Sequence, residues 1–403
     1  MTAPLFMSAC GGAPTLRIGA VFPLSGFTAD DAREEELGAQ LAARLVNDDG
    51  GAAGRLLALD IRDVEDAADA QRAADSLRAD GVPAVIGAYS SALSIPLAAA
   101  VARDGMVYWE TGAVADQVTG HGYPLVFRVG ADGRDLGGNS GRFIVQQVAP
   151  QLGRPVTQTS AYLVTVDDAY GHSVADAAHS SLSAGGVRIA GEGVYDPEAP
   201  QFAPIISAIQ SARPDVLVLS SHVNDGIAFR RAFVAAHIYV AAFFGTTMAQ
   251  CQPEFGDTLG PDATGVFASD RPGYGFNPAA LDGDAAAVYQ RFAQLWSQRT
   301  GHVPSEEGIS GFAAAWALFH DVLTPGAQTP DHIAATARSL DLPSGSLPNG
   351  AGIRFSNDAA NLGQNLRAAA VIWQWQAPYT SVVIWPGPYA TGSMTMVPMP
   401  RTS

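Results

Sequence analysis

Apolar and polar positions along the chain alternate between two periods. The run "LRIGAVFPLSG" at 16–26 is almost wholly apolar and ends in Pro, Ser and Gly, as a strand buried on both faces does. After a polar loop, "LGAQLAARLVND" at 37–48 sets Leu37, Leu41, Ala42 and Leu45 at helical spacing. "RLLALDIRDVED" (55–66) alternates like a strand, and "ADAQRAADSLRADG" reads as a helix stopped by Gly81. "PAVIGAY" and "MVYWETGAVAD" predict two more strands, with the helix "LSIPLAAAVARDG" between them. The series then repeats. "SAYLVTVDDAYG", "VRIAGEGVYD", "DVLVLSS" and "IYVAAFFGTT" read as strands, separated by helices in "HSVADAAHSSLSAGG", "QFAPIISAIQSARP" and "NDGIAFRRAFVAAH". In the second of these helices Phe202, Ile205, Ile206 and Ile209 make one apolar face. Strand–helix alternation of this kind predicts an α/β fold of parallel sheets covered by helices.

Two α/β units follow, over 16–135 and 136–268. The remainder is different in pattern: two long helices, "GDAAAVYQRFAQLWSQRTG" and "EEGISGFAAAWALFHDVL", then short strands in "AGIRFSND", "LRAAAVIWQWQ" and "TSVVIWPGP". These are too few for a third core, so the chain is expected to return and complete the first two. One lobe is assigned to 16–135 plus 269–345 and the other to 136–268 plus 346–403, after a leader and linker at 1–15. The tail "GPYATGSMTMVPMPRTS" is expected to be an irregular strand or a loose end.

Composition narrows the function. A chain of 403 residues with 47% hydrophobic and 15% charged residues has enough apolar surface for two sizeable cores. The net charge of −16 argues against nucleic acid and anionic lipid as partners. All 23 cations are arginine, so a Schiff-base or phosphate-binding lysine is excluded. No run reaches the roughly 18 apolar residues of a spanning helix, and the body of the protein is expected to be soluble. "PLFMSACGG" resembles the cleavage box of a bacterial lipoprotein, which would make Cys10 an acylation site. Only nine residues precede Cys10 and none is Arg, so the leader is incomplete by that standard. No H-E-x-x-H, C-x-x-C or P-loop occurs, and "GGNSG" fails the nucleophile-elbow spacing. The histidines lack metal spacing, and acidic runs such as "DDAREEE" and "DVEDAAD" read as solvated helix starts. Neither an enzyme activity, a cofactor nor a metal is expected.

One junction does point to a ligand. In "VIGAYSSALSIP" a buried strand runs through Tyr89 into Ser90, Ser91 and Ala92 at a helix start. Ligands of open parallel sheets collect at strand carboxyl ends, where helix N-termini offer unpaired N–H groups and partial positive charge. A carboxylate there would meet backbone N–H groups and a serine hydroxyl. Capping of the helix by Ser91 or Ser94 accounts for the same residues.

Taken in order, "LRIGAVFPLSG", "DGGAAGRLLALDIRD", "GVPAVIGAYSSALSIPLA", "DGMVYWETGAVADQVT", "DDAYGHSVADAAHSSL", "QFAPIISAIQSARPDVLVLSS" and "NDGIAFRRAFVAA" resemble the type I periplasmic binding proteins that capture branched-chain amino acids for ABC transporters. The resemblance covers roughly 16–270, with a looser fit through "GIRFSNDAANLGQN". It implies two Rossmann-like lobes joined by three crossovers, a ligand held between them by hinge closure, and delivery to permease subunits by a monomer. It puts the carboxylate on Ser91, with Tyr89 and Ser90 beside it, and an ammonium against the Gly112 carbonyl on the loop Gly112–Ala113–Val114. Val114 stands where the family has a threonine, leaving only its N–H. Tyr170 and His222 match aromatic positions of the second lobe, Thr247 falls where leucine binders carry an acid, and Asp31 falls where they carry a tyrosine. The acid for an ammonium would then come from Asp31, Glu110 or Asp168, or the ligand has no ammonium. Tyr89, Trp109, Tyr170 and His222 would suit a planar ligand, and Trp109 fits core and pocket equally well. A ligand-sensing regulator of the same fold, taking amides or aromatic acids, is the alternative.

Overall fold

A computed structural model describes residues 14–26 and 28–401. Cys10 and the leader expected around it lie outside the described residues. The first unit runs β1 (Thr15–Phe22), α1 (Ala29–Asp48), β2 (Leu56–Asp63), α2 (Ala67–Ala79), β3 (Ala84–Gly87), α3 (Ser91–Arg103), β4 (Val107–Glu110), α4 (Gln117–Gly120) and β5 (Val126–Arg128). Then α5 (Gly133–Phe143) and α6 (Ala149–Gln151) lead into β6 (Ser160–Val166), α7 (Ala169–Ala184), β7 (Arg188–Tyr195), α8 (Phe202–Ala212), β8 (Val216–Ser221), α9 (Val223–Ala235), β9 (Ala242–Met248), α10 (Pro253–Leu259) and β10 (Phe267–Asp270). The chain ends with α11 (Gly283–Thr300), α12 (Glu306–Trp316), α13 (Pro330–Ser339), β11 (Val371–Ala377) and β12 (Thr380–Trp385).

The strands form two sheets, in the orders β2-β1-β3-β4-β5 and β12-β11-β10-β9-β8-β6-β7. Every pairing is parallel except those of β11, which runs antiparallel to β10 and β12. β3, β4, β6 and β8 are buried at every position, which is why they read as unbroken apolar runs. On one face of the first sheet α1, α11, α12 and α13 bury a core with Ile18, Trp109, Phe127 and Phe312; α2 and α3 cover the other. Cores on both faces of the second sheet are built around Phe229, Phe243 and Trp375, and around Phe143, Phe244 and Phe267. The chain passes between the sheets after β5, after β10 and before β11, which is the expected three-crossover plan.

Two departures from expectation have physical causes. Residues 346–367 were expected in the second lobe, but Leu347, Ala351, Ile353 and Phe355 pack into the first core. Phe355 meets the rings of Trp109 and Phe127 edge-on, and the segment makes isolated bridges rather than a strand. Its apolar residues are drawn to an aromatic cluster, not to a ladder. Helix α5 gave no apolar period because its contact face is glycine. A Cβ on Gly137 would sit 2.1 Å from the Val174 carbonyl oxygen on α7. A similar close approach joins α1 to α12, where a Cβ on Gly38 would lie 2.3 Å from the Gly308 oxygen and one on Gly311 2.2 Å from the Glu35 oxygen. The tail is not loose: Met399 is buried and its N–H donates to the Ala241 carbonyl at 2.8 Å.

Candidate functional site

The junction after β3 is braced on every side. Ser90 takes the N-cap of α3 with an extended backbone and no side-chain cap bond, so neither serine expected to cap does so. Ser94 Oγ instead accepts the Ala88 N–H at 3.2 Å and the Tyr108 hydroxyl at 2.9 Å. Ser91 Oγ accepts the N–H groups of Val114 at 3.3 Å and Ala115 at 3.0 Å. Both acceptor positions of that hydroxyl are therefore taken, and its hydrogen is left to donate elsewhere. The loop after β4 is held for this purpose by buried Arg128, which donates to the carbonyls of Ala113 at 3.2 Å and Ala115 at 2.7 Å. Tyr89 adopts φ 68° and donates its hydroxyl to Asp31 Oδ2 at 3.1 Å. Burial pushes Asp31 up to about 6, against the pull of that hydroxyl.

Across the cleft, the second lobe contributes Tyr170, His222 and Thr247. The Tyr170 hydroxyl lies 3.2 Å from the Ser221 carbonyl, and the Thr247 hydroxyl donates to it at 3.4 Å. His222 Nε2 is 2.7 Å from Asp168 Oδ2, while Asp168 Oδ1 accepts the Gly171 N–H at 2.7 Å and so caps α7. The His222 ring tilts against Tyr170 at 5.2 Å. Burial, the largest influence, lowers the His222 pKa, but Asp168, Asp225 and Asp31 together outweigh it and the net shift is upward.

The floor is a buried cluster of acids around one guanidinium. Arg271, immediately after β10, donates to the Gly112 carbonyl at 2.8 Å, and its Nε lies 3.0 Å from Glu306 Oε1 and 3.8 Å from Asp270 Oδ1. Asp270 also accepts the Met248 N–H at 3.0 Å and its neighbour's N–H at 2.8 Å. Ser305 caps α12 through the Gly308 N–H at 3.0 Å, which directs Glu306 and Glu307 inward. Behind them Glu110 accepts the N–H groups of Gly112 and Ala113, and Glu35 accepts the Thr111 hydroxyl. Burial pushes Glu110 and Glu306 up to about 7, and drives Glu35 and Glu307 well above the carboxylate range.

One cavity is lined by Tyr89, Ser90, Ser91, Gly112, Val114, Tyr170, His222 and Thr247 together with Asp270, Arg271, Glu306 and Glu307. Three expected residues are not brought into it. Trp109 is core: fully buried, it donates its indole N–H to the Ala314 carbonyl at 2.8 Å. Ala113 is buried behind the loop, and Asp31 opens onto a neighbouring hollow with Glu34 and Glu254. The Gly112 carbonyl, expected for an ammonium, is engaged by Arg271, and the Val114 N–H by Ser91. Of the three candidate acids, Glu110 is sealed off by backbone N–H groups, Asp31 holds the Tyr89 hydroxyl and is turned to the neighbouring hollow, and Asp168 faces the cleft mouth beside His222. Sequence reasoning missed Asp270, Arg271, Glu306 and Glu307. A signal existed: "ASDR" places an acid and a base at the end of an apolar run, and "PSEEG" has a cap residue before two acids. The run "DDAREEE" is not simply solvated either, since Glu35 is 0% exposed. Among the described residues no helix is long and apolar enough to cross a membrane, and no group of three or more His, Cys, Asp or Glu could hold a metal ion. Cys251 is a free, buried thiol.

Two α/β lobes joined by three crossings, with a cavity lined from both, have the architecture of a two-lobed solute-binding protein. The chain belongs to the periplasmic binding protein family, whose family model matches residues 15–372. It is 29% identical over 365 residues to the Leu/Ile/Val-binding protein homolog 8 of Brucella abortus, covering 90% of this chain and 88% of that one. The fold is that of a leucine-binding protein from Thermotoga maritima (TM-score 0.77, 16% identity, 92% of this chain and 98% of the other). It is also that of a Rhodopseudomonas palustris ABC-transporter solute-binding protein solved with benzoate (TM-score 0.72, 19% identity, 95% and 99%).

Proposed function

We propose that this protein is an extracytoplasmic receptor that captures a small carboxylate, foremost an amino acid, and delivers it to the permease subunits of an ABC importer. The ligand carboxylate sits at the start of α3 and receives the Ser91 hydroxyl hydrogen. Tyr170 and His222 meet it from the second lobe as the hinge closes. The observation that carries this reading is the Ser91 hydroxyl, with both acceptor positions filled and its donor left over, in a cavity lined from both lobes. The names of the Brucella relative and the Thermotoga structure support the amino-acid class. Lipid anchoring through Cys10 and action as a monomer belong to the same proposal.

An aromatic acid is the second reading. Tyr89, Tyr170 and His222 offer ring faces and edges to a planar ligand, and a structural relative was solved with benzoate. Thermal unfolding in the presence of L-leucine, L-phenylalanine, benzoate and acetamide separates the classes. A carboxylate at about 100 times its Kd stabilises the protein by about 2.7 kcal/mol. Stabilisation by acetamide with none by any carboxylate would overturn the assignment.

A further inference from the structure

The wall of the cleft at the start of α12 holds an acid that the fold does not use. Glu307 is 3% exposed and lines the same cavity as Ser91. Its Oε1 accepts from the Gln252 side-chain amide, while its Oε2 is buried and has no hydrogen-bond partner among the described residues. A buried carboxyl oxygen left unmatched costs free energy that a ligand donor would recover. The ionisable groups lining the cavity lean the same way, three acids against Arg271 and His222. Asp270, Glu306 and Glu307 all line the cavity, and the single guanidinium that lines it, Arg271, is committed to Glu306, Asp270 and the Gly112 carbonyl. Thr247, on the opposite wall, brings no charge.

We propose that Glu307 is the specificity-determining acid of the cleft, pairing through Oε2 with a cationic nitrogen of the ligand. The inference rests on the carboxylate site at Ser91 and adds a second pole to it, so the preferred solute is a zwitterion. Burial first, then Glu306 and Asp31, push the Glu307 carboxyl well above its ordinary range. A nearby cation is what would favour its ionised form.

Isothermal titration with matched pairs tests this: L-leucine against 4-methylpentanoate, L-phenylalanine against 3-phenylpropanoate, and 6-aminohexanoate against hexanoate. The expected result is that the nitrogen-bearing member of at least one pair binds about tenfold or more tighter, as a desolvated charge pair would give. Glu307→Gln should erase that preference, so that the two members of each pair bind alike, and a cooperative thermal unfolding transition shows that the variant is folded. Should the Gln variant not fold, Glu307→Met is read the same way. Preference in either of the first two pairs assigns the nitrogen to an α-ammonium; preference confined to the third assigns it to a distal amine. Equal binding within every pair, or a preference that survives loss of the Glu307 charge, overturns the proposal and leaves the carboxylate site standing. If no member of any pair binds, the carboxylate site and this proposal fall together.

Discussion

The chemistry of the cleft begins with the direction of one hydroxyl hydrogen. Val114 and Ala115 donate to Ser91 Oγ, and Arg128 holds their loop through the carbonyls of Ala113 and Ala115. Ser91→Ala therefore removes a charge-assisted donor to a bound carboxylate, worth about 1.5–3 kcal/mol. Titration with whichever carboxylate binds should show affinity falling about tenfold to a hundredfold; an unchanged Kd would remove Ser91 from the site. Ser91 was legible because a buried strand, a pair of serines and a helix start stand in sequence, and each has a separate signature. Glu306, Glu307 and Glu35 were not. Acids at a helix start look alike whether they face water or a neighbouring helix, and the sequence does not state which. Trp109 was ambiguous for a related reason, since its destination depended on Phe127 and Phe355, and the latter lies far along the chain.

Among elements, α1 and α12 deserve to be considered as a pair. α1 carries Asp31 and Glu35, and α12 carries Glu306 and Glu307, so packing them together concentrates acids in a dry space. Asp31, Glu110 and Glu306 have folded-state pKa values of about 6, 7 and 7, all raised by burial above their unfolded values near 4. A raised folded pKa contributes stability that is complete below the unfolded value and is lost as pH rises through the folded one. The ligand-free protein should accordingly melt several degrees lower at pH 8 than at pH 5, with most of the loss between about pH 5 and pH 8. The upward shift of His222 acts in the same direction. A melting temperature that is flat or rising across that window in thermal scans would show that the acids are not held as described. The strands and most helices could be read from period alone. α5 could not, because a helix that packs through Gly137 leaves no apolar stripe to detect.

In the whole molecule, the lobes touch at a few polar points beside the cavity. Ser173 on α7 accepts the Asp116 N–H at 3.1 Å, while its own hydrogen is shared between the Ala169 carbonyl at 2.9 Å and Gln117 Oε1 at 3.1 Å, which ties the second lobe to the α4 end of the first. On the proposed hinge closure, these contacts would favour the closed form, and they lie outside the cavity lining. Ser173→Ala should weaken the closed form and speed ligand dissociation by about threefold to tenfold, from a loss of about 0.5–1.5 kcal/mol. Stopped-flow dissociation measures this, and an unaltered off-rate would detach those contacts from closure. The two-lobe plan was visible in the doubled strand–helix series. The allotment of 346–367 was not, because it depends on where isolated aromatic side chains find company. The backbones of α1 and α12 meet at Gly38 and Gly311 with no space for even a methyl group, and Gly308 leaves none on its other side against the Trp296 ring. That seam makes the acidic wall a preorganised plate, stiff before any solute arrives. On the proposed role of Glu307, selectivity would be retuned by exchanging the side chain at 307, while the scaffold beneath it keeps its shape.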